Sequence, residues 1–247
     1  MATIPEPVLT VLSAAEMSGR ALRLTGQLDR KLYTQTNAVL EAAGGKWDRK
    51  AKAHLFEVEA AEAIEPILLT GEYSKPQDFG FFETPADVAE RVIALADIRP
   101  GMSVLEPSAG RGALARPARS AGGDVACVEL QERNAAHLVA DKFASVIVGD
   151  FLGITGLARC DRIVMNPPFA GQADIRHVRR AAEYLRPGGR LVSIMSAGID
   201  FRTNALTIDF RKWLADHEGS ITRLPAGSFK PSGTDVNTVI VQVQVRA

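Results

Sequence analysis

From residue 81 onward, short apolar runs alternate along the chain with segments that have helical periodicity. Strands that alternate with helices are typical of a mostly parallel sheet with helices on both faces. Strands are predicted at residues 103–105, 124–128, 145–148, 162–165, 190–195, 220–224 and 238–245, and helices near 85–97, 112–121, 131–141, 173–185 and 205–217. Residues 225–237 leave no room for a helix, so the last two strands should form an antiparallel hairpin at one edge. The sequence therefore predicts an α/β fold with a doubly wound, mostly parallel, seven-stranded sheet and an antiparallel C-terminal hairpin.

A linker is predicted near residues 71–78, because the stretch from Gly71 to Asp78 is rich in turn residues and lacks periodicity. We therefore predict two domains: a small α/β N-terminal appendage over residues 1–75 and the large domain over residues 76–247. In the appendage, the pattern indicates a helix over residues 28–43, a short hairpin after Trp47 and a second helix over residues 58–69.

Charge is unevenly distributed, although 29 Lys+Arg balance 29 Asp+Glu. The zero net charge excludes a wholly basic coat protein, yet residues 20–52 hold eight basic and three acidic residues, and residues 53–74 hold five glutamates and no Lys or Arg. Such a layout could present a basic face to a polyanion, and the alternative is an ordinary charged surface. The candidate nucleic-acid contacts here are Lys46, Arg49, Lys50 and Lys52. Trp47 could stack on a base, but packing within the small hairpin is the favoured interpretation.

The first motif runs from Val104 to Gly112, where a predicted strand enters a glycine-containing turn that opens a helix. In a doubly wound sheet such a turn lies at the crevice that receives the ligand, and glycines allow close backbone approach. Gly110, Gly112 and Ala115 also fit the relaxed dinucleotide spacing, so spacing alone does not exclude a nicotinamide cofactor. Glu106 argues against one, because a carboxylate at the strand end repels pyrophosphate and attracts an ammonium group.

Three acidic residues end three successive strands: Glu106, Glu129 and Asp150. Each alone could be structural, but the carboxyl ends of parallel strands meet at one edge, so together they predict one binding crevice. Glu106 suits an amine, Glu129 a ribose and Asp150 the edge of an adenine, with Phe151 available to stack. S-adenosylmethionine carries all three groups.

The fourth strand ends in Asn166-Pro167-Pro168-Phe169. Two prolines remove two backbone donors and fix φ, which leaves the Pro167 carbonyl rigid and unpaired. The Asn166 side chain offers a second acceptor, and Phe169 a flat apolar face. Two acceptors and a stacking ring can hold a planar exocyclic amine and aim its nitrogen at a methyl sulfonium.

These motifs, preceded by Phe82-Glu83-Thr84-Pro85, resemble the class I S-adenosylmethionine-dependent methyltransferases, specifically gamma-type enzymes that methylate the exocyclic amine of adenine in DNA. The resemblance covers about residues 79–247 and implies a Rossmann-like methyltransferase fold. It implies that Phe82, Thr84 and Pro85 flank the methionine part of the cofactor, and that the target base is held by Asn166, Pro167, Pro168 and Phe169. The cofactor-binding residues it implies are Phe82, Thr84, Pro85, Glu106, Pro107, Ser108, Ala109, Gly110, Gly112, Glu129, Leu130, Asp150 and Phe151.

Many relatives of this type carry a target-recognition domain after the catalytic motif, but only 78 residues follow Phe169 here. Sequence specificity is therefore expected from the appendage or from the loops at residues 170–174, 196–204 and 229–235, the last containing Lys230. Arg176, Arg179 and Arg180 share one helix face, which could hold phosphates or face solvent. A duplex substrate would have to flip its target base into the crevice.

Other substrates fit the same residues. A protein glutamine amide makes the same demand on Asn166 and Pro167, and adenine in RNA and the cytosine amine are further alternatives. A cofactor-binding DNA accessory protein is the non-enzyme alternative. The expected partner is DNA, single- or double-stranded, and a cognate nuclease or specificity partner stays open.

Cys127 and Cys160 are expected to be reduced structural thiols, and no metal-site spacing is present. The sequence offers neither a membrane-spanning apolar run nor a leader pattern, so the expected location is the cytoplasm.

Overall fold

The computed structural model describes residues 4–71 and 82–245. Most of the predicted linker and the predicted boundary between residues 75 and 76 lie outside the described residues, so the division into two domains stays a prediction.

Residues 4–71 form an antiparallel sheet packed against helices. The elements are α1 (Glu6–Ala14), β1 (Glu16–Ser18), β2 (Ala21–Arg23), α2 (Arg30–Ala42), β3 (Lys46–Asp48), β4 (Ala53–Leu55) and α3 (Ala60–Thr70). The strand order is β1-β2-β4-β3, so β3 is an edge strand. The side chains of Leu12, Leu22, Leu40 and Ile64 meet in its core. The Asp29 carboxylate accepts a hydrogen bond from Leu32 N at 2.9 Å and so caps α2.

Three elements of this unit, α1, β1 and β2, were absent from the sequence prediction. The two strands have three residues each, which is too short for an alternating pattern to be recognised. The predictions of α2, the β3–β4 hairpin and α3 are confirmed, with the ends moved by one or two residues.

Residues 82–245, which lie within the predicted large domain, form a second α/β unit. Its elements are α4 (Ala86–Ala96), β5 (Ser103–Glu106), α5 (Ala115–Ser120), β6 (Asp124–Glu129), α6 (Glu132–Ala140), β7 (Ser145–Val148), β8 (Cys160–Met165), α7 (Ala173–Ala182), β9 (Leu185–Ser196), α8 (Gly198–Phe201), α9 (Ala205–Asp216), β10 (Ser220–Arg223) and β11 (Thr238–Gln244). The strand order is β10-β11-β9-β8-β5-β6-β7. Strands β5 to β9 are parallel, and β11 is antiparallel to both β9 and β10. The predicted fold class is confirmed.

Successive side chains of each strand point to opposite faces of the sheet, and each face has its own hydrophobic core. Val104 and Val164 pack on one face with α4, α5 and α6, whereas Leu105 and Ile163 pack on the other with α7 and α9. The helices therefore cover both faces of the sheet, as the alternation of elements predicted.

The chain reverses its direction of winding at β5. From β5 it continues to β6 and β7 on one side, and it returns to β8 and β9 on the other. A crevice opens beyond the carboxyl ends of neighbouring strands at such a reversal, which is where ligands bind in open α/β sheets.

The N-terminal unit is attached at the same end of the sheet as this crevice. Asn237, just before β11, donates from Nδ2 to Thr70 O at 2.7 Å. Arg202, just after α8, forms an ion pair with Glu65 of α3 at 3.2 Å. Because β11 begins opposite the carboxyl end of β9, both contacts join the unit to the carboxyl-end side. No helix within residues 4–71 and 82–245 is long and apolar enough to cross a membrane.

Candidate active site

A cleft of about 450 Å³ occupies the crevice beyond β5, β6, β7 and β8. The predicted site residues that line it are Phe82, Thr84, Glu106, Pro107, Ser108, Ala109, Gly110, Glu129, Leu130, Asp150, Phe151, Asn166, Pro167, Pro168 and Phe169. Two predicted cofactor residues do not line it: Pro85 is the N-cap residue that precedes α4, and Gly112 shapes the turn after β5. The structure thus brings the three strand-end acids and the Asn-Pro-Pro-Phe motif together, while their roles stay predictions.

The turn after β5 depends on glycine. Gly110 and Gly112 have φ values of +54° and +91°, which residues other than glycine rarely adopt. At Gly112 an added Cβ would lie 3.0 Å from Leu138 Cδ2. The turn therefore favours glycine at both positions, and at Gly112 a side chain would also press on Leu138.

Glu129 holds this turn in place. Its Oε2 accepts from Gly110 N at 2.7 Å, and its Oε1 accepts from Gln131 N at 2.9 Å. The side chain is buried and lies at the cleft. Sequence reasoning assigned Glu129 to a ribose and missed this second role, because the bond to Gly110 joins residues that are close only in the folded chain.

Glu106 is the most buried of the three strand-end acids in the cleft. Its side chain is only 2% exposed, and Oε2 has no hydrogen-bond partner within the described residues. Burial raises the pKa of this carboxyl group well above its ordinary value. A buried acceptor without a donor is unfavourable, and an ammonium group supplies both donors and charge. Glu106 therefore fits the amine of S-adenosylmethionine.

Asp150 and Phe151 form the wall beyond β7. Asp150 is exposed, and its Oδ1 accepts from Leu152 N at 3.0 Å. The Phe151 ring is buried and packs against the His177 and Tyr184 rings, with centroids 5.9 and 6.1 Å away. Phe151 therefore reaches the cleft from within the core, which differs from the open stacking surface that the sequence suggested.

Several lining residues were not predicted from the sequence. His177 of α7 lies in the cleft wall, its Nδ1 is 2.8 Å from Ala173 O, and burial lowers the pKa of its imidazole. The loop between β10 and β11 contributes Phe229, Thr234 and Val236. Sequence reasoning had named this loop only as a possible specificity loop, since nothing local shows that it closes one side of the cleft.

Asn166 has a fixed orientation. Its Nδ2 lies 3.3 Å from Phe82 O and 3.1 Å from Thr84 Oγ1. A carbonyl oxygen can only accept, so the amide nitrogen must face Phe82 and Oδ1 must point elsewhere. Within residues 4–71 and 82–245, neither Asn166 Oδ1 nor Pro167 O accepts a hydrogen bond. The motif thus offers two free acceptors in the cleft beside the mostly buried ring of Phe169.

Two of the three arginines that were predicted to share one face of α7 form ion pairs within the protein. Arg179 forms an ion pair with Asp209, and Arg180 forms one with Glu183. Of these three arginines, only Arg176 is exposed and forms no ion pair within residues 4–71 and 82–245. Of the two alternatives for this face, phosphate binding or solvent exposure, phosphate binding stays a prediction for Arg176 alone.

The other predicted nucleic-acid contacts lie outside the cleft. Lys230 is in the β10–β11 loop, 3.8 Å from Asp235. Lys46, Arg49, Lys50 and Lys52 are exposed on the β3–β4 hairpin. Trp47 packs within this hairpin only in part: its ring meets His54 edge to face, with centroids 5.2 Å apart, and it stays 52% exposed at the sheet edge. The two cysteines are buried free thiols.

Comparison with known proteins identifies relatives of the large domain. Residues 93–215, about half of the chain, match the family model described as the methyltransferase small domain. A ribosomal RNA small subunit methyltransferase A from Thermosynechococcus vestitus is 36% identical over 87 residues, which are 33% of this chain and 32% of that protein. The chain therefore matches about a third of the length of this curated relative.

Solved structures share the fold at low identity. A protein assigned as a modification subunit of a type I restriction enzyme from Vibrio vulnificus superposes with a TM-score of 0.56 and 20% identity, covering 68% of this chain and 45% of that one. A protein assigned as a class I S-adenosylmethionine-dependent methyltransferase from Listeria monocytogenes gives 0.56 and 16%, covering 76% of this chain and 68% of that one. These similarities show the fold.

Proposed function

Because this chain belongs to the class I S-adenosylmethionine-dependent methyltransferases, we propose that it methylates the exocyclic amino nitrogen of adenine in DNA. The family's cofactor supplies an electrophilic methyl group on a sulfonium centre. The cleft has to hold the amine so that its nitrogen lone pair faces that methyl group.

The observation that carries the proposal is the pair of free acceptors in the catalytic motif. Asn166 Oδ1 and Pro167 O can each accept one N–H of a planar amine. Their positions are set before a base binds, because Thr84 and Phe82 anchor the Asn166 amide and proline fixes the backbone. Such preorganised acceptors favour the charge that develops on the nitrogen during attack.

The ring of Phe169 supports a base as the substrate. It is 7% exposed and lines the cleft beside Asn166, so a flat ring entering the cleft would lie against it. A base within a duplex cannot reach this position, so double-stranded DNA would need to flip the adenine, which costs a few kcal/mol.

Adenine in RNA is the second candidate, and the ribosomal RNA methyltransferase among the relatives favours it. The restriction-enzyme subunit with the same fold favours DNA. Both candidates present the same amine to Asn166 and Pro167, so substrate preference has to be measured directly.

The test compares wild type with Asn166→Ala, using labelled S-adenosylmethionine and matched unmethylated DNA and RNA. Wild type should label DNA at N6 of adenine, identified after digestion to nucleosides. The variant should lose at least about 100-fold in rate, because one acceptor is gone, while its cofactor affinity stays within about twofold.

Undiminished transfer by Asn166→Ala would contradict the role of the motif. Labelling of RNA alone, or of cytosine, would contradict the proposed substrate. Wild-type protein that binds the cofactor but labels neither nucleic acid would direct attention to a protein amide.

A further inference from the structure

The β3–β4 hairpin carries a cluster of uncompensated positive charge. Lys46, Arg49, Lys50 and Lys52 are all exposed, and none forms an ion pair within residues 4–71 and 82–245. Asp48, the one acid among them, is engaged by the turn itself: its Oδ1 accepts from Lys50 N at 2.8 Å and from Ala51 N at 2.7 Å. We call residues 46–52 the hairpin surface.

An open aromatic ring lies within this surface. Trp47 pairs with His54 across the strands, and their rings meet edge to face with centroids 5.2 Å apart. His54 is buried, whereas Trp47 is half exposed, because β3 is the edge strand. Edge-on contact with one ring leaves much of the indole open to solvent.

A second exposed ring lies nearby on α2. His54 Nε2 contacts Asn37 Oδ1 at 2.8 Å, and Tyr33 is on the same face of α2 one turn earlier. Tyr33 is 45% exposed. Uncompensated cations on the same hairpin as an exposed ring suit a polyanion with flat bases better than they suit an apolar partner protein.

We propose that the hairpin surface binds an unpaired polynucleotide strand, with a base stacked on Trp47 and phosphates on the four basic side chains. Aromatic rings in basic surroundings bind single strands because every base has a face to stack, whereas bases within a duplex are already stacked. The inference extends the proposed function, since a methyltransferase that needs an extruded base benefits from holding an opened strand. It does not require methyl transfer to be observed.

The test measures the fluorescence emission of Trp47 itself. The chain has two tryptophans, and Trp213→Phe keeps a ring beside Phe210 while leaving Trp47 as the only indole. A 12-nucleotide DNA strand should quench Trp47 emission, and the RNA strand of the same sequence should do so too. The matching duplex should bind more weakly and quench less. Trp47→Phe, which keeps only Trp213, should show no quenching.

The charge contribution is measured by replacing Lys46, Arg49, Lys50 and Lys52 with alanine. Affinity for the strand should fall at least tenfold at low salt, and the slope of log affinity against log salt should decrease in magnitude by about 3. The control replaces four exposed residues elsewhere, Arg91, Lys142, Arg159 and Lys212, and should change affinity less than threefold.

Strand binding that leaves Trp47 emission unchanged would overturn the proposal, as would equal losses in the two quadruple variants or tighter binding of the duplex. Methyl transfer is measured in parallel on the same proteins. If the strand binds as expected but no nucleic acid is methylated, the proposed function is refuted, whereas the proposal that the hairpin surface binds an unpaired strand is supported.

Discussion

At Glu106, burial makes the carboxyl group hard to ionise and also leaves Oε2 without a donor. The predicted contact with the ammonium group of the cofactor requires the ionised form of Glu106, so cofactor binding would compete with the proton. The free protein holds this proton to a higher pH than an ordinary glutamic acid does. Cofactor affinity should therefore rise with pH through the raised pKa, and binding should release a proton.

Calorimetry in two buffers of different ionisation enthalpy measures this proton release. Glu106→Gln keeps the size of the side chain but should bind the cofactor at least tenfold more weakly, with no proton release from this site. A variant with wild-type affinity and the same proton release would show that the amine binds elsewhere.

Single residues differ in how far sequence alone could predict them. The position of Glu106 in the cleft was predictable because the carboxyl ends of parallel strands meet at one edge. The position of Asn166 was predictable because few sequence patterns other than Asn-Pro-Pro-Phe leave two fixed acceptors at a strand end. The bond from Gly110 to Glu129 and the place of His177 depend on tertiary contacts. The high exposure of Trp47 was not predicted, because its position on an edge strand depends on the strand order of the folded unit.

Among the elements, helix α7 is tied to strand β9 by Asp174. Its Oδ1 accepts from Ile175 N and its Oδ2 from Ser196 N, each at 3.0 Å. Burial raises the pKa of this carboxyl group to about 6, although these bonds and Arg202 oppose the rise. The folded protein therefore binds this proton more tightly than the unfolded chain does.

The free energy of unfolding should consequently fall as pH rises from about 4 to about 6, by about 3 kcal/mol from this group, and stay level above. In Asp174→Asn this fall should be absent, although the variant loses a backbone hydrogen bond at every pH. Urea denaturation across pH 4–8 measures it, with Asp216→Asn, an exposed position, as control. Parallel curves for wild type and Asp174→Asn would contradict the assignment.

Elements of the large domain were predictable because each apolar run fills one of two cores. Strand β9 extends five residues further toward its N-terminus than predicted, since Pro187, Gly188 and Gly189 disrupt the apolar pattern there. The short strands of the N-terminal unit left no periodicity to detect.

Across the whole molecule, a buried ion pair joins the two units. The Arg202 side chain is 3% exposed, and Glu65 of α3 is its partner. Glu65→Ala would leave Arg202 buried with only the neighbouring negative charge of Asp174 and should lower the free energy of unfolding by about 2–3 kcal/mol. Adding Arg202→Met should recover part of this loss.

Urea denaturation of the single and double variants measures the effect. Glu62→Ala, an exposed change on the same helix, should stay within about 0.5 kcal/mol of wild type. A loss in Glu62→Ala equal to that in Glu65→Ala would show that removing a negative charge from α3, and not breaking the ion pair with Arg202, is responsible.

The cleft has a wall built from the last part of the chain. Phe229, Thr234 and Val236 line it, and Ser232 Oγ donates to Glu83 O at 2.5 Å. During synthesis, the glycine turn after β5 and the Asn166–Phe169 segment leave the ribosome well before these residues do. The strand ends and turns that form most of the cleft can therefore fold before its last wall is present, and the cleft is completed only when β11 inserts beside β9.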